Sequence, residues 1–93
     1  MKHYIIAKFL PSVDQAAQLP RIREIFAQAP QIPGVHGAEI RTNCVARDNR
    51  CDLMIVLDME PAALAAYDAS AMHREWKEEF GPLLEKKAIF DHE

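Results

Sequence analysis

The chain has 93 residues, enough for one domain (1–93) and near the lower limit at which a single core sustains itself. Its composition, 49% hydrophobic and 27% charged, is that of an ordinary globular protein. The net charge of −3, with Arg and Lys scattered among Asp and Glu, offers no basic patch, so nucleic acid is not an expected partner. No run approaches the length of a membrane-spanning helix and the N-terminus leads directly into a strand pattern; the expected location is cytoplasmic, with no membrane partner.

Lys2–Leu10 reads as a strand with His3, Ile5, Ala7 and Phe9 on one face and Tyr4, Ile6, Lys8 and Leu10 on the other. Both faces are mostly apolar. Pro11-Ser12 ends the strand, and Ser12 with Gln15 forms the pattern of a capping box. Ala16, Leu19, Ile22, Ile25, Phe26 and Ala29 follow at helical spacing. Pro20 inside that pattern either kinks one helix or starts a second short one at Arg21. Pro30 through Gly34 is a turn. Val35–Asn43 reads as an edge strand, its border protected by Glu39, Arg41 and Asn43.

A polar turn then leads into Cys51–Met59, the most apolar stretch of the chain. Leu53, Ile55 and Leu57 point to one side of this strand, and Met54, Val56 and the Met59 end bring apolar bulk to the other. Cys44 and Cys51 flank the turn and could face each other across a hairpin, although free thiols are the expectation in a reducing compartment. Pro61 opens a helix through Ala62–Ala66, and Ser70 caps a second piece that carries Met72, Trp76 and Phe80 on one face. Gly81-Pro82 interrupts it, Leu83–Lys86 adds a turn, and Lys87–His92 is a last strand.

The order is β-α-β-β-α-β, an α+β ferredoxin-like plan with a four-stranded antiparallel sheet. Right-handed crossovers put the first and third strands at the centre and both helices on one face. Those are the two strands that are apolar on both sides. Tyr4, Ile6, Met54 and Val56, or their opposite-parity neighbours, would therefore be left uncovered in a monomer. A second copy is the simplest cover: a homodimer through the sheet face, closing an α+β barrel.

Met1-Lys-His at the start of a strand, the Ile32-Pro33-Gly34-Val35 turn, the Tyr67…His73 segment and the closing Ile89-Phe90-Asp91 together resemble the stress-responsive A/B barrel (Dabb) domain family. The resemblance spans essentially the whole chain and implies a ferredoxin-like subunit in a sheet-to-sheet homodimer. Most of the family has no assigned reaction. One enzymatic relative, the olivetolic acid cyclase of plants, cyclises a linear polyketide by an aldol-type step in a cavity between sheet and helices. Its two important histidines fall on His3 and His73, and a tyrosine of its pocket falls on Tyr67. A second pocket tyrosine, from the first helix, is replaced by Ile25.

The residues support a site of that kind. His73 lies in the first helical turn after Ser70, where the helix dipole disfavours an imidazolium and keeps a neutral ring available as a base. A break at Asp68–Ser70 would let both Tyr67 and His73 look inward. The expected catalytic residues are His3, His73 and Tyr67. One histidine would remove a proton α to a carbonyl, while Tyr67 or the other histidine hydrogen-bonds the oxyanion. Phe9, Trp76, Phe80 and Ile25 would line a pocket for a small apolar or aromatic ligand. No cofactor is expected, and two histidines without a third ligand at suitable spacing do not call for a metal. His36 and His92 read as surface residues. Neither cysteine has the basic surroundings of a nucleophile.

Three readings compete: a histidine-dependent lyase or cyclase acting on a carbonyl compound, a non-catalytic ligand-binding or stress-associated dimer, and, by analogy of fold alone, a dimeric-barrel monooxygenase.

Overall fold

Alternating burial along the first strand sets the architecture. In the computed structural model, which describes every residue from Met1 to Glu93, β1 spans Lys2–Phe9 with His3, Ile5, Ala7 and Phe9 buried and the residues between them half-buried. The second and third strands are β2 (Val35–Thr42) and β3 (Leu53–Met59), and β4 (Leu84–His92) closes the chain. The spatial order is β2-β3-β1-β4, with every neighbouring pair antiparallel. The two doubly apolar strands therefore lie at the centre, as the ferredoxin-like plan requires.

Three α-helices cover the odd-numbered face: α1 (Gln15–Phe26), α2 (Leu64–Asp68) and α3 (Ala71–Phe80). Ile22, Ile25 and Phe26 of α1, Tyr67 of α2, and Met72, Trp76 and Phe80 of α3 pack on Ile5, Ala7, Phe9, Leu53, Ile55, Leu57 and Met59. Trp76 anchors the layer, edge-on to Phe26 and stacked on Phe80, each with ring centroids 5.4 Å apart. At the surface, Arg21 ties α1 to α3 by a bidentate pair with Glu79 (2.9 and 2.7 Å) and a further contact with Glu75. The Arg21–Glu79 hydrogen bonds raise the pKa of the guanidinium and lower that of the carboxyl.

Several local expectations change. The cap of α1 is Asp14, whose Oδ1 accepts from the Ala17 N–H at 3.3 Å, and not Ser12. The reason is a turn closed by the Val13 N–H on the Leu10 carbonyl (3.0 Å), which delays the helix start. Pro20 splits nothing: α1 is one helix with Pro20 inside it, and the Ala16 carbonyl that loses its partner lies in an exposed turn.

Met59 belongs to the covered row with Leu57, because the alternation of β3 continues unbroken to its end. The last strand begins at Leu84, so Leu84–Lys86 is strand rather than turn. It pairs along the full length of β1, with Phe9 opposite Leu84 across a bulge. His36 sits within β2, exposed and 3.0 Å from Glu60. Gly34 turns the chain into β2 at φ 85°, where a side chain would bring its Cβ to 2.9 Å from that of Ala63. Cys44 and Cys51 are free thiols.

The even-numbered face carries no helix. Tyr4 and Ile6 of β1, Met54 and Val56 of β3 and Phe90 of β4 lie on it, Phe90 being 61% exposed. Lys2–Asp58 (3.4 Å) and Arg41–Glu39 (2.8 Å) ion pairs border this apolar centre.

Candidate functional site

His3, Tyr67 and His73 come from three different elements and meet. His3 is on β1 with its side chain directed under the helices, 5% exposed, the one polar residue buried among the core side chains. Tyr67 closes the last turn of α2 and is fully buried. The chain then breaks at Asp68–Ser70. Ser70 caps α3, its Oγ accepting from the His73 N–H at 3.2 Å and donating to the Tyr67 carbonyl at 2.7 Å. These two hydrogen bonds fix the junction between the helices, and the His73 and Tyr67 rings lie with centroids 4.8 Å apart. Tyr67 also meets His3 edge-on at 5.4 Å. The tyrosine ring thus contacts two imidazoles.

Both imidazoles have one nitrogen engaged. Nδ1 of His73 is 2.9 Å from the Asp68 backbone carbonyl, which can only accept, so the hydrogen is on Nδ1 and Nε2 carries the lone pair. Burial is the main cause lowering the pKa of His73 from the ordinary histidine value. The hydrogen bond and charge of Asp68 oppose it, while Lys77 and Lys87 add to it. Nδ1 of His3 is 2.5 Å from Asp91 Oδ1. Asp91 sits directly across the β1–β4 ladder from His3, so the pair is fixed by sheet register. A carboxylate acceptor again places the hydrogen on Nδ1 and frees Nε2. Asp91 is the residue that sequence reasoning missed as a site member. The signal available was its place in the closing strand, but only the register of β4 on β1 turns that into a partner for His3.

Tyr67 differs from both neighbours. Its hydroxyl is buried and has no hydrogen-bond partner in the protein. Burial, followed by the nearby Asp68 carboxylate, raises its pKa well above the ordinary phenol value, so the group stays a neutral donor. An unpartnered buried hydroxyl costs about 1–3 kcal/mol. The protein carries that cost on a ring that both histidines contact.

The residues expected to line the ligand pocket are placed as follows. Ile25, Trp76 and Phe80 are fully buried core side chains, and Phe9 is buried at the far end of β1. Phe9 lines a cleft of about 240 Å³ with Gln15, Ala16, Leu19, Thr42, Asp52 and Leu53, at the opposite end of the strand from His3. His73 lines a cleft of about 270 Å³ with Asp68, Ala69, Ser70, Arg74, Lys77 and Glu78. No three His, Cys, Asp or Glu side chains cluster as a metal-ion site would require. No helix is long and apolar enough to cross a membrane.

The fold and this site define an α+β, ferredoxin-like subunit with a polar cluster between sheet and helices, and comparisons with known proteins agree on the fold. No protein-family model matches the chain, and no curated protein matches it in sequence. Solved structures do. A dimeric ferredoxin-like protein of unknown function from Bacteroides fragilis superposes with a TM-score of 0.81 at 16% identity, covering 99% of this chain and 93% of that one. A hydroxynitrile lyase from Passiflora edulis gives 0.77 at 16% identity, with 98% and 89% covered. A Dabb family protein with a ferredoxin-like fold from Mesorhizobium loti gives 0.65 at 15% identity, with 99% and 93% covered. The resemblance read from the sequence is thus to a family of which a member shares this fold.

Proposed function

We propose that the chain is a Dabb-like protein that dimerises through its open sheet face and binds a small carbonyl compound at Tyr67, where it acts as a cofactor-independent lyase or cyclase. The observation that carries this reading is the buried, unpartnered hydroxyl of Tyr67, whose ring contacts the rings of both His3 and His73. A ketone or aldehyde oxygen is the partner that hydroxyl lacks. With its pKa raised, the phenol donates a hydrogen bond to that oxygen as negative charge builds on it. The free Nε2 of either histidine then removes the proton from the carbon α to the carbonyl, leaving an enolate whose oxygen is held by Tyr67. A second carbonyl carbon of the same molecule, attacked by the α-carbon, would close a ring, and return of the proton would complete an aldol step. Asp91 keeps the His3 ring oriented and faces the charge that ring gains with a proton. Ile25, Trp76 and Phe80 pack the core from which such a ligand would take its apolar surroundings, while Phe9, at the far end of β1, stands away from it.

Two further observations support the reading. A lyase acting on hydroxynitriles, compounds made from a carbonyl group and cyanide, has been built on this fold. The apolar sheet face suits burial against a second copy, as in neighbours described as dimeric. Such a dimer is tested by Val56→Asp, which should yield a monomer in sedimentation equilibrium; an unchanged mass for both proteins would contradict it.

The reaction is tested with acetophenone in D2O, following loss of its methyl proton signal by NMR. The wild-type protein should accelerate exchange above buffer, and His73→Ala or Tyr67→Phe should abolish the excess. Binding without any exchange would favour the alternative, a ligand-binding dimer without turnover.

A further inference from the structure

α1 packs on the sheet through one half only. Its buried residues, Ile22, Ile25 and Phe26, all lie toward its C-terminal end. In the first two turns Ala16 is exposed and Leu19 is half-buried. A cleft of about 240 Å³ is left between this part of the helix and the ends of β1 and β3. Phe9 and Leu53 contribute to it from the sheet, Ala16 and Leu19 from α1, and Thr42 stands opposite Leu53 in the β2–β3 register. The cleft lies on the helix-covered side, away from the sheet face that closes the dimer.

Asp52 is the charged group of this cleft, and it is half-buried. Its backbone is held on both sides. The Asn43 N–H donates to the Asp52 carbonyl at 2.9 Å, and the Asp52 N–H donates to the Ala7 carbonyl at 2.8 Å. The side chain turns to β1, where its Oδ2 accepts from the Phe9 N–H at 2.8 Å. That bond leaves Oδ1 without a donor from the protein. Asp58, Glu39, Glu79 and Glu85 are each paired with a lysine or arginine, and Asp52 is not. No cation lines the cleft. The positive end of α1 is met by Asp14, whose Oδ1 caps the Ala17 N–H.

We infer that this cleft is a second ligand site, for a small compound with an apolar body and a protonated amine. The ammonium group donates to Oδ1 of Asp52 while the body lies against Phe9, Leu19 and Leu53. A carboxylate beside apolar side chains is screened less than one on an open surface. Its bond to Phe9 also fixes the direction of the free oxygen, so little ordering remains for the ligand to impose. The volume suits a single ring or a short alkyl chain. The site shares no residue with the Tyr67 cluster and stands whether or not that cluster binds a carbonyl compound.

The test is a titration of benzylamine and benzyl alcohol, two compounds of one shape, into the 15N-labelled protein at neutral pH. Benzylamine should shift the amides of Phe9, Leu19 and Leu53. It should bind about threefold to tenfold more tightly than the alcohol, and about 0.5 M salt should reduce that advantage. Asp52→Asn keeps an oxygen for the Phe9 N–H and should bind the two compounds equally. Ala16→Trp, at an exposed helix position, should fill the cleft and remove the shifts from both, with the rest of the spectrum unchanged. Equal affinities in the wild type, no shifts at all, or a preference that survives in Asp52→Asn would overturn the inference. So would shifts confined to Tyr67 and His73, which would put the amine in the other cluster. Should Asp52→Asn unfold, the salt dependence and Ala16→Trp decide the matter in the same way.

Discussion

His3 on the first strand and Asp91 on the last are 88 positions apart in the chain and 2.5 Å apart in the fold, joined Nδ1 to Oδ1. The hydrogen bond fixes the imidazole tautomer and links the two strands one position inside the Lys2–His92 end of the β1–β4 ladder. Asp91→Asn keeps the shape but offers an amide donor, which favours hydrogen on Nε2 instead. Nitrogen NMR of the His3 ring should show that change of tautomer, and any turnover should fall about tenfold to a hundredfold. An unchanged tautomer with unchanged turnover would mean that Asp91 does not position His3.

Tyr67 gives a prediction of opposite sign for stability and function. Its hydroxyl has nothing to bond in the free protein. Tyr67→Phe should therefore leave the stability to urea unchanged or raise it, by up to about 1–3 kcal/mol. Affinity for carbonyl ligands should fall in the same variant. A loss of stability would mean that the hydroxyl already has a partner within the protein.

The pH dependence follows from His73. Burial lowers its pKa in the folded protein, so the unfolded chain, with an ordinary value near 6.5, takes up the proton first as pH falls. The stabilising contribution of the neutral ring is thus present above pH 6.5 and is lost as pH falls through the folded value. Denaturation midpoints measured from pH 7 to pH 4 should show this slope, and His73→Asn should flatten it. If His73 is the base, the acid limb of the rate should also lie below the ordinary imidazole range.

Gly34 is a test of the frame that carries the site. At φ 85°, with Ala63 in the way of any Cβ, it lets β2 pack beside the turn that leads into α2. Gly34→Ala should cost about 1–3 kcal/mol in chemical denaturation, with the sheet otherwise intact. A neutral substitution would mean that the turn relaxes freely.

Much of this fold was legible because the alternation in Lys2–Phe9 and Leu53–Met59 is strong on both faces, which only a central strand tolerates. The meeting of Tyr67 and His73 was legible too, since Ser70 is a clear cap and forces the break between them. Asp91 was not, because a partner across a strand ladder depends on register. Register here follows from β4 running to Leu84, earlier than its own residues suggest. The choice of Asp14 over Ser12 turned on a turn hydrogen bond from Val13 to Leu10, a backbone event with no sequence signature.

The most direct measurement is a crystal structure of the protein with acetophenone bound. The account predicts the ketone oxygen within hydrogen-bonding distance of the Tyr67 hydroxyl, and the methyl carbon facing Nε2 of His3 or His73. A ligand bound elsewhere, with the Tyr67 hydroxyl bonded to a protein group, would contradict it.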